Sequence, residues 1–198
     1  MKFNNLLENV KKILIILFIN LCLTVYSKAD DIRDFQIEGI SIGDSLLNFY
    51  SKKKIISGKN KNNPYKSDKF IMSTLVSTGD NYQALQFHFK KNDSNYKIYS
   101  ISGQTIMKLN SCLKQRNKIF GEIENLFPNT EKFKFNKRSH PGYEKSYSYS
   151  SYFKFKSGDL IEIACYDYND TLNKTIADKL TVSLDTKEFN AFLINDAY

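Results

Sequence analysis

The stretch 110–128, NSCLKQRNKIFGEIENLFP, predicts an amphipathic helix in the middle of a strand-rich chain. Its apolar residues fall on one wide stripe with the 3.6-residue period of an α-helix. They are Cys112, Leu113, Ile119, Phe120, Ile123, Leu126 and Phe127. Asn110 or Ser111 can cap the helix, and Pro128 ends it because a proline pushes the preceding residue out of the α region. We expect a core helix on a sheet, with a helix that enters a partner's groove as the alternative.

Residues 1–29 have the layout of a secretory signal peptide. A lysine-bearing start precedes the apolar run 13–25, and Ser27 and Ala29 place small residues before a cut after Ala29. The run is shorter than the roughly 20 residues that a spanning helix needs, so we expect no transmembrane segment after cleavage. Cys22 is not preceded by the small residue of a lipobox. The sequence therefore predicts a periplasmic or secreted protein.

Cleavage would leave two cysteines, Cys112 and Cys165. In an oxidising compartment two cysteines allow one pairing, and we predict a disulfide between them. It would close a loop of roughly 50 residues and contribute about 4 kcal/mol in the chain-entropy model. The alternative is two separate buried thiols. The chain has no CxxC motif, so nothing indicates a redox enzyme.

The excess of basic over acidic residues is weak evidence about the partners of this protein. The net charge is +8, and residues 1–29 hold four lysines and one glutamate, which leaves 25 basic and 20 acidic residues beyond them, or +5. Nearly all the basic residues are lysines, which lack the bidentate geometry of arginine for phosphate, so we expect no nucleic-acid partner. A loose attraction to an anionic surface stays compatible with this charge. We interpret the lysine-rich run 52–61 as a solvated face or a mobile loop.

The first half of the chain predicts a short helix followed by a meander of strands. Asp44 is the expected N-cap of the helix within 40–56, and 57–69 is an exposed loop. The predicted strands are 70–78, 82–90 and 96–107. Gly103 suggests a bulge in the third strand, and Gly121 in the central helix suggests a close contact with the sheet.

The second half predicts four more strands and a terminal helix. The strands are 131–136, 146–156, 160–168 and 179–184, with a loop over 137–145. Ile161, Ile163 and Cys165 share one face, as do Leu180, Val182 and Leu184. Asp185 is the expected cap of the last helix, with Glu188 completing a capping box and Phe189, Phe192 and Leu193 forming the buried stripe.

This order of elements predicts an α+β fold with antiparallel meanders and packed helices. We expect a single domain over 30–198. Its layout suggests two similar halves, 40–107 and 110–184, plus a C-terminal helix at 185–195.

Catalytic and metal-binding signals are weak. The chain has two histidines, His88 on the less apolar face of a strand and His140 in a loop. Two histidines without a paired motif predict no zinc site. His140 with Cys112 or a serine is a candidate nucleophile–base pair. Ser45 lacks the following glycine of a nucleophile elbow. We assign no catalytic, cofactor-binding or metal residue.

Aromatic residues gather in one strand region. Tyr143, Tyr147, Tyr149 and Tyr152 lie within ten residues, beside Lys145 and Lys154. Such tyrosines can stack on sugars or nucleobases. The simpler interpretation is a half-buried strand, in which tyrosine is favoured.

Two segments carry a resemblance. The start 31–47, DIRDFQIEGISIGDSLL, and the ending 178–189, DKLTVSLDTKEF, resemble those of short, uncharacterised exported proteins of marine bacteria with A+T-rich genomes. Heavy use of Lys, Asn and Ile agrees with such a genome, and the resemblance implies export without a particular activity. The part 39–47 is also similar to the helix start of the outer-membrane assembly lipoprotein and of β-lactamase-inhibitor-like α+β folds. The missing lipobox departs from the lipoprotein pattern.

Together these features predict a non-enzymatic exported domain that binds a protein or an envelope component, with no cofactor. One alternative is a hydrolase with a site near His140. Another is a lysine-mediated binder of anionic envelope polymers or lipids.

Overall fold

Seven strands form one antiparallel sheet. The structure, a computed structural model, describes residues 31–59, 65–140, 143–169, 171 and 176–197. The predicted signal peptide and its cleavage site at Ala29 lie outside these residues. The strands are β1 Phe70–Val76, β2 Ala84–Lys90, β3 Ser100–Ile106, β4 Glu131–Ser139, β5 Tyr147–Lys154, β6 Leu160–Asp167 and β7 Lys179–Asp185. Their order across the sheet is β1-β2-β3-β7-β6-β5-β4, so two meanders meet where β3 pairs with β7.

The predicted α+β class is confirmed, because three helices pack with this antiparallel sheet. They are α1 Lys52–Ser57, α2 Leu109–Leu126 and α3 Lys187–Asn195. Short 3₁₀ turns at Ile32–Asp34 and Leu46–Asn48 lead into the first strands. The central helix α2 packs across β5, β6 and β7. No helix in the described part of the chain is long and apolar enough to cross a membrane.

The core lies between α2 and one face of the sheet, which we call the apolar face. From α2 it contains Cys112, Phe120 and Ile123, as the predicted stripe requires, whereas Leu126 is 52% exposed. The strands supply the predicted inward residues of β6 and β7. They are Ile161, Ile163, Cys165, Leu180, Val182 and Leu184.

A disulfide ties α2 to this face. The sulfur atoms of Cys112 and Cys165 are 1.99 Å apart, with their Cα atoms at 5.8 Å, which is the pairing that the sequence predicts. Both residues are fully buried. The bridge therefore lies inside the core and fixes the start of the helix over β6.

The predicted caps of α1 and α2 are wrong. Helix α2 begins at Leu109, one residue before Asn110, and Lys108 holds the N-cap position without a side-chain hydrogen bond. Helix α1 is capped by Ser51, whose hydroxyl accepts from the N–H of Lys54. Asp44 instead accepts from the N–H of Ser41. Several Ser, Asp and Asn residues can cap a helix, and the chain around each one decides which of them does.

The terminal helix also starts later than predicted. Thr186 caps α3 by accepting from the N–H of Phe189. Asp185 is the last residue of β7, where it pairs with Ser100 of β3 and Leu160 of β6. Strand pairing on both sides holds Asp185 in the sheet, and the next residue becomes the cap. Phe189 and Phe192 form the buried stripe as predicted, with Leu193 half-buried.

The interpretations of two glycines and one loop are also wrong. Gly121 has open space beside it rather than a sheet contact. Gly103 pairs regularly with Leu85 and Val182, and a Cβ there would lie 2.6 Å from the ring of Tyr82. The glycine thus permits a close approach of a ring and makes no bulge. An irregularity of register instead falls in β4, which continues to Ser139 through the start of the predicted loop 137–145.

Candidate functional site

The face of the sheet opposite α2, which we call the polar face, carries hydroxyl, amide and carboxyl groups. On β7 the residues that alternate with the core positions are Thr181, Ser183 and Asp185. The strand register places Glu162 of β6 and Ser102 of β3 on either side of Ser183. An antiparallel sheet with one polar face commonly exposes it to water. Here Thr181, Ser183 and Asp185 are only 5–6% exposed.

Helix α3 closes part of the polar face. Phe189 and Phe192 pack with Phe70 of β1 in a second apolar cluster, separate from the main core. Glu188 of α3 is 3.0 Å from the ammonium group of Lys90 and 3.6 Å from that of Lys69. The helix therefore lies over the β1–β2 side of the polar face and leaves a cavity beside it.

This space, the polar-face cavity, has a volume of about 200 Å³. Its lining comes from five strands or their ends, from α3 and from Tyr65. The lining residues are Tyr65, Gln86, His88, Ser100, Ser102, Gln104, His140, Glu162, Tyr166, Tyr168, Lys179, Thr181, Ser183, Asp185, Phe189 and Leu193. Most of these side chains carry a group that can form hydrogen bonds, unlike the ordinary mainly apolar lining of a small-molecule pocket.

Two carboxyl groups lie at the floor of the cavity. Burial raises the pKa of Glu162. Hydrogen bonding to Tyr152 and Ser150, and then the charge of Arg138, offset part of that rise. Burial raises the pKa of Asp185 to about 7, with hydrogen bonding to Ser100 acting against it and the charge of Glu162 adding to it. Among the described residues, neither carboxyl group lies within ion-pair distance of a basic side chain.

Basic groups lie towards the other end. The ammonium group of Lys179 donates to Oε1 of Gln104 at 3.2 Å, and burial lowers the pKa of Lys179. Burial and then the charge of Lys179 lower the pKa of His140. The His140 ring lies 5.7 Å from that of Tyr166 and 5.9 Å from that of Tyr168. These two tyrosine rings are nearly parallel, 12° apart in orientation.

Among the described residues, two buried polar atoms in the lining have no hydrogen-bond partner: Oγ1 of Thr181 and Nδ1 of His88. His88 shares a hydrogen bond of 2.9 Å between its Nε2 and the hydroxyl of Tyr65, and its ring stacks on Phe189 at 4.4 Å. Burial lowers the pKa of His88 to about 3, so the ring is neutral at neutral pH. Unsatisfied buried polar groups are uncommon in folded proteins and cost stability.

The structure separates most residues that the sequence singled out. His140 lines the cavity, but Cys112 lies in a disulfide on the apolar side, so the suggested Cys112–His140 pair is wrong. Ser45 donates to the carbonyl oxygen of Asn95 at 2.6 Å and begins a 3₁₀ turn.

The tyrosine cluster is divided as well. Tyr149 packs against the main core, whereas Tyr152 lies beside Glu162 on the polar face. The ring of Tyr143 is 4.8 Å from that of His140. These tyrosines therefore do not form one stacking platform.

The sequence interpretation missed Glu162 and Asp185. A signal for Glu162 is visible, since a glutamate between Ile161 and Ile163 interrupts an apolar strand. Asp185 carries no such signal because an aspartate before a helix is an ordinary cap. In the described part of the chain, no group of three His, Cys, Asp or Glu side chains is placed to hold a metal ion.

Comparisons with protein-family models, curated proteins and solved structures find no match to this chain. The suggested kinship with exported proteins of marine bacteria therefore stays a prediction.

Proposed function

We propose that this protein is an exported binding domain that takes a small polar molecule into the polar-face cavity. The observation that carries the proposal is the pair of carboxyl groups of Glu162 and Asp185 on a covered face of the sheet. Neither of them has a basic ion-pair partner among the described residues. Burial of an unpaired charge destabilises a fold by several kcal/mol, or forces the group to stay neutral. Perturbed carboxyl groups that line a cavity are typical of functional sites.

A purely structural role for the polar face beneath α3 explains the cavity poorly. If α3 only completed a second core, apolar side chains facing it from β3, β6 and β7 would make that core more stable. Ser102 and Ser183 instead occupy the central strands, where Val or Ile has high strand propensity. The hydroxyls of Ser102 and Ser183 share a hydrogen bond of 3.1 Å within this face.

The size of the cavity limits the ligand. Its volume of about 200 Å³ is below the range of drug-sized pockets and slightly above that of an apolar cavity of about 150 Å³ that holds benzene. A molecule with a single ring, or one of amino-acid size, fits this space. A polymer or a protein would contact only the rim.

We place the protein in the periplasm or outside the cell. The buried disulfide supports an oxidising compartment, because such bonds are rare in reducing ones. Fractionation of cells that express the full chain tests this. The protein should leave the cytoplasm and lose residues 1–29, and an uncleaved cytoplasmic protein would contradict the proposal.

The binding function is tested by thermal unfolding of the purified protein against a set of small polar metabolites. A ligand should raise the melting temperature of the wild type and not that of Ser183→Leu, which fills the floor of the cavity. Glu131→Gln, on the exposed strand β4, is the matched control and should respond like the wild type. Ligands that stabilise Ser183→Leu as strongly as the wild type would contradict the proposed site.

Hydrolysis is a second candidate, because His140 lines the same cavity as Glu162. An imidazole whose pKa is lowered by burial, in a cavity that also holds a carboxyl group and hydroxyls, is suited to general acid–base work. Turnover of small ester or amide substrates that disappears in His140→Ala and persists in Tyr143→Phe would favour the hydrolase over the binding domain. Equal turnover in both variants would count against it.

Binding to an anionic polymer or lipid is supported by one feature, the exposed basic edge strand β4. It carries Lys132, Lys134, Lys137 and Arg138 against one acidic residue, Glu131. Such binding should weaken steeply with added salt. A binding affinity that does not change with salt concentration would exclude this candidate function.

A further inference from the structure

We propose that the ligand of the polar-face cavity is an uncharged, hydroxyl-rich ring of the size of one sugar unit. This inference rests on the proposed binding function and names the class of molecule that the cavity selects. It follows from three features of the lining: mixed hydrogen-bonding groups, charges of both signs, and aromatic rings at one end.

The lining offers donors and acceptors side by side. Ser102 and Ser183 share one hydrogen bond, which leaves one of the two hydroxyl protons and further lone pairs for a ligand. Gln104 accepts from Lys179 and keeps its amide donors. The hydroxyl of Thr181 has no partner in the described part of the chain. A hydroxyl group both donates and accepts, so a polyhydroxylated molecule matches such a lining at each position.

The charges of the lining disfavour small ions. The ammonium group of Lys179 donates to Gln104, which pairs with Thr181 of β7. Two residues further along β7, Ser183 pairs with Glu162 of β6. The lining therefore holds basic and acidic groups on one face, and the charge of Arg138 at the end of β4 also acts on Glu162. A cation that approaches Glu162 is opposed by the charge of Arg138, and an anion that enters beside Lys179 shares the cavity with two carboxyl groups. A neutral ligand avoids both penalties.

Aromatic rings frame the end of the cavity near Lys179. Tyr166 and Tyr168 lie nearly parallel, with ring centroids 6.0 Å apart and His140 beside both. The C–H faces of a sugar ring are apolar and pack on aromatic surfaces, whereas its hydroxyl groups point outward in the ring plane. A single ring therefore has polar partners on the strands and an apolar partner at the rim.

The test compares rings of one shape and three charges. NMR titrations of the purified, isotope-labelled protein use D-glucose, D-glucosamine and D-glucuronate, which are neutral, cationic and anionic. D-Galactose, D-mannose, N-acetyl-D-glucosamine and myo-inositol extend the neutral set. We expect at least one neutral ring to give saturable shifts at Thr181, Ser183 and Tyr166, with the charged forms of the same ring at least tenfold weaker.

Two variants tie the binding to the site. Glu162→Gln preserves shape and replaces a carboxyl acceptor by an amide, so it should weaken binding of the neutral ring by about tenfold or more. Gln104→Ala should weaken it as well and serves if Glu162→Gln does not fold. Glu131→Gln on β4 is the control and should leave binding unchanged.

The outcomes separate this inference from the binding function. Equal or tighter binding of glucosamine or glucuronate overturns the neutral class, and so does the absence of saturable shifts with every neutral ring. Glycine, putrescine and citrate are titrated in parallel. If one of them binds in a manner that Ser183→Leu abolishes, the hydroxyl-rich class fails while the cavity remains a binding site. If a neutral ring binds equally to Ser183→Leu, both proposals fail.

Discussion

The two faces of the same sheet differ in how they are stabilised, although a helix packs against each of them. On β7 one set of residues, Leu180, Val182 and Leu184, packs under α2, and the alternate set faces the cavity beneath α3. The apolar face has a disulfide and interlocking aromatic rings, such as Phe120 on Phe153 at 4.7 Å. The polar face has hydroxyls, carboxyls and space.

This difference separates stability from binding within one set of strands. The apolar side chains on the apolar face remove hydrocarbon from water, which stabilises the fold by roughly 25 cal/mol per Å². The polar face gains little from burial and carries groups that burial penalises. We therefore expect substitutions to change stability through one face and ligand affinity through the other.

The largest contrast should come from neighbours on β2 that point to opposite faces. Phe87 is fully buried, with its ring 5.8 Å from that of Tyr50, and Phe87→Ala should cost about 3–5 kcal/mol. Gln86 lines the cavity and donates to Thr74 at 3.3 Å. Gln86→Ala should stay within about 1 kcal/mol. Urea unfolding of both variants checks this, and comparable losses would remove the distinction between the faces.

The disulfide provides the next largest effect. Cys112→Ser should destabilise the oxidised protein by about 4 kcal/mol, because the unfolded chain loses the constraint of a loop of 53 residues. Under reducing conditions the variant and the wild type should unfold at nearly the same denaturant concentration. Equal losses in both conditions would mean that packing of the sulfur, and not the bond, stabilises the core.

On the polar face, Asp185→Asn should change how stability depends on pH. The pKa of Asp185 rises from an ordinary 3.8 to about 7, so the folded state keeps a proton that the unfolded chain has lost. Its contribution to stability therefore falls as pH rises from about 4 to about 7. Relative to the wild type, Asp185→Asn should gain about 2–4 kcal/mol across this window. The measurement is the free energy of unfolding at pH 4 and pH 7.5.

His88→Gln should change the pH dependence of stability in the opposite direction. The pKa of His88 falls from an ordinary 6.5 to about 3, so the unfolded chain binds a proton that the folded state excludes. Its contribution to stability rises with pH between about 3 and 6.5. The free energy of unfolding of His88→Gln, relative to that of the wild type, should therefore fall as pH rises over that range. If both variants follow the wild-type curve in parallel, the two groups titrate in the folded protein as they do in the unfolded chain.

The smallest expected effects come from two glycines. Gly103→Ala on the apolar face should cost about 1–3 kcal/mol, because its Cβ would lie 2.6 Å from the Tyr82 ring. Gly121→Ala in α2 meets open space and should gain up to about 1 kcal/mol through helix propensity. Thermal unfolding compares the two. A gain at Gly103 would show that Tyr82 moves freely.

The sequence predicted the apolar side of the molecule well. Periodicity identified α2 and the inward residues of β6 and β7, and the pairing of Cys112 with Cys165 followed from composition. The ends of the helices and strands were predicted less accurately. Asp185 served as a strand end rather than a cap, because pairing with β3 and β6 outweighed a local cap preference.

The candidate site depended on information that a single strand does not contain. Glu162 and Asp185 are 23 positions apart, and the register of β6 with β7 sets them diagonally on one face. His140 reaches that face from the end of β4, and the cavity exists because α3 returns across the sheet.

By itself, the sequence determined the class of fold, the disulfide and the hydrophobic face, since these follow from local periodicity and from burial of apolar side chains. The tertiary structure decided what the other face became. An alternating strand predicts a polar face but does not say whether water or protein covers it. The packing of α3 on Phe70 covered this one, and so converted ordinary strand hydroxyls and carboxyls into the lining of a cavity.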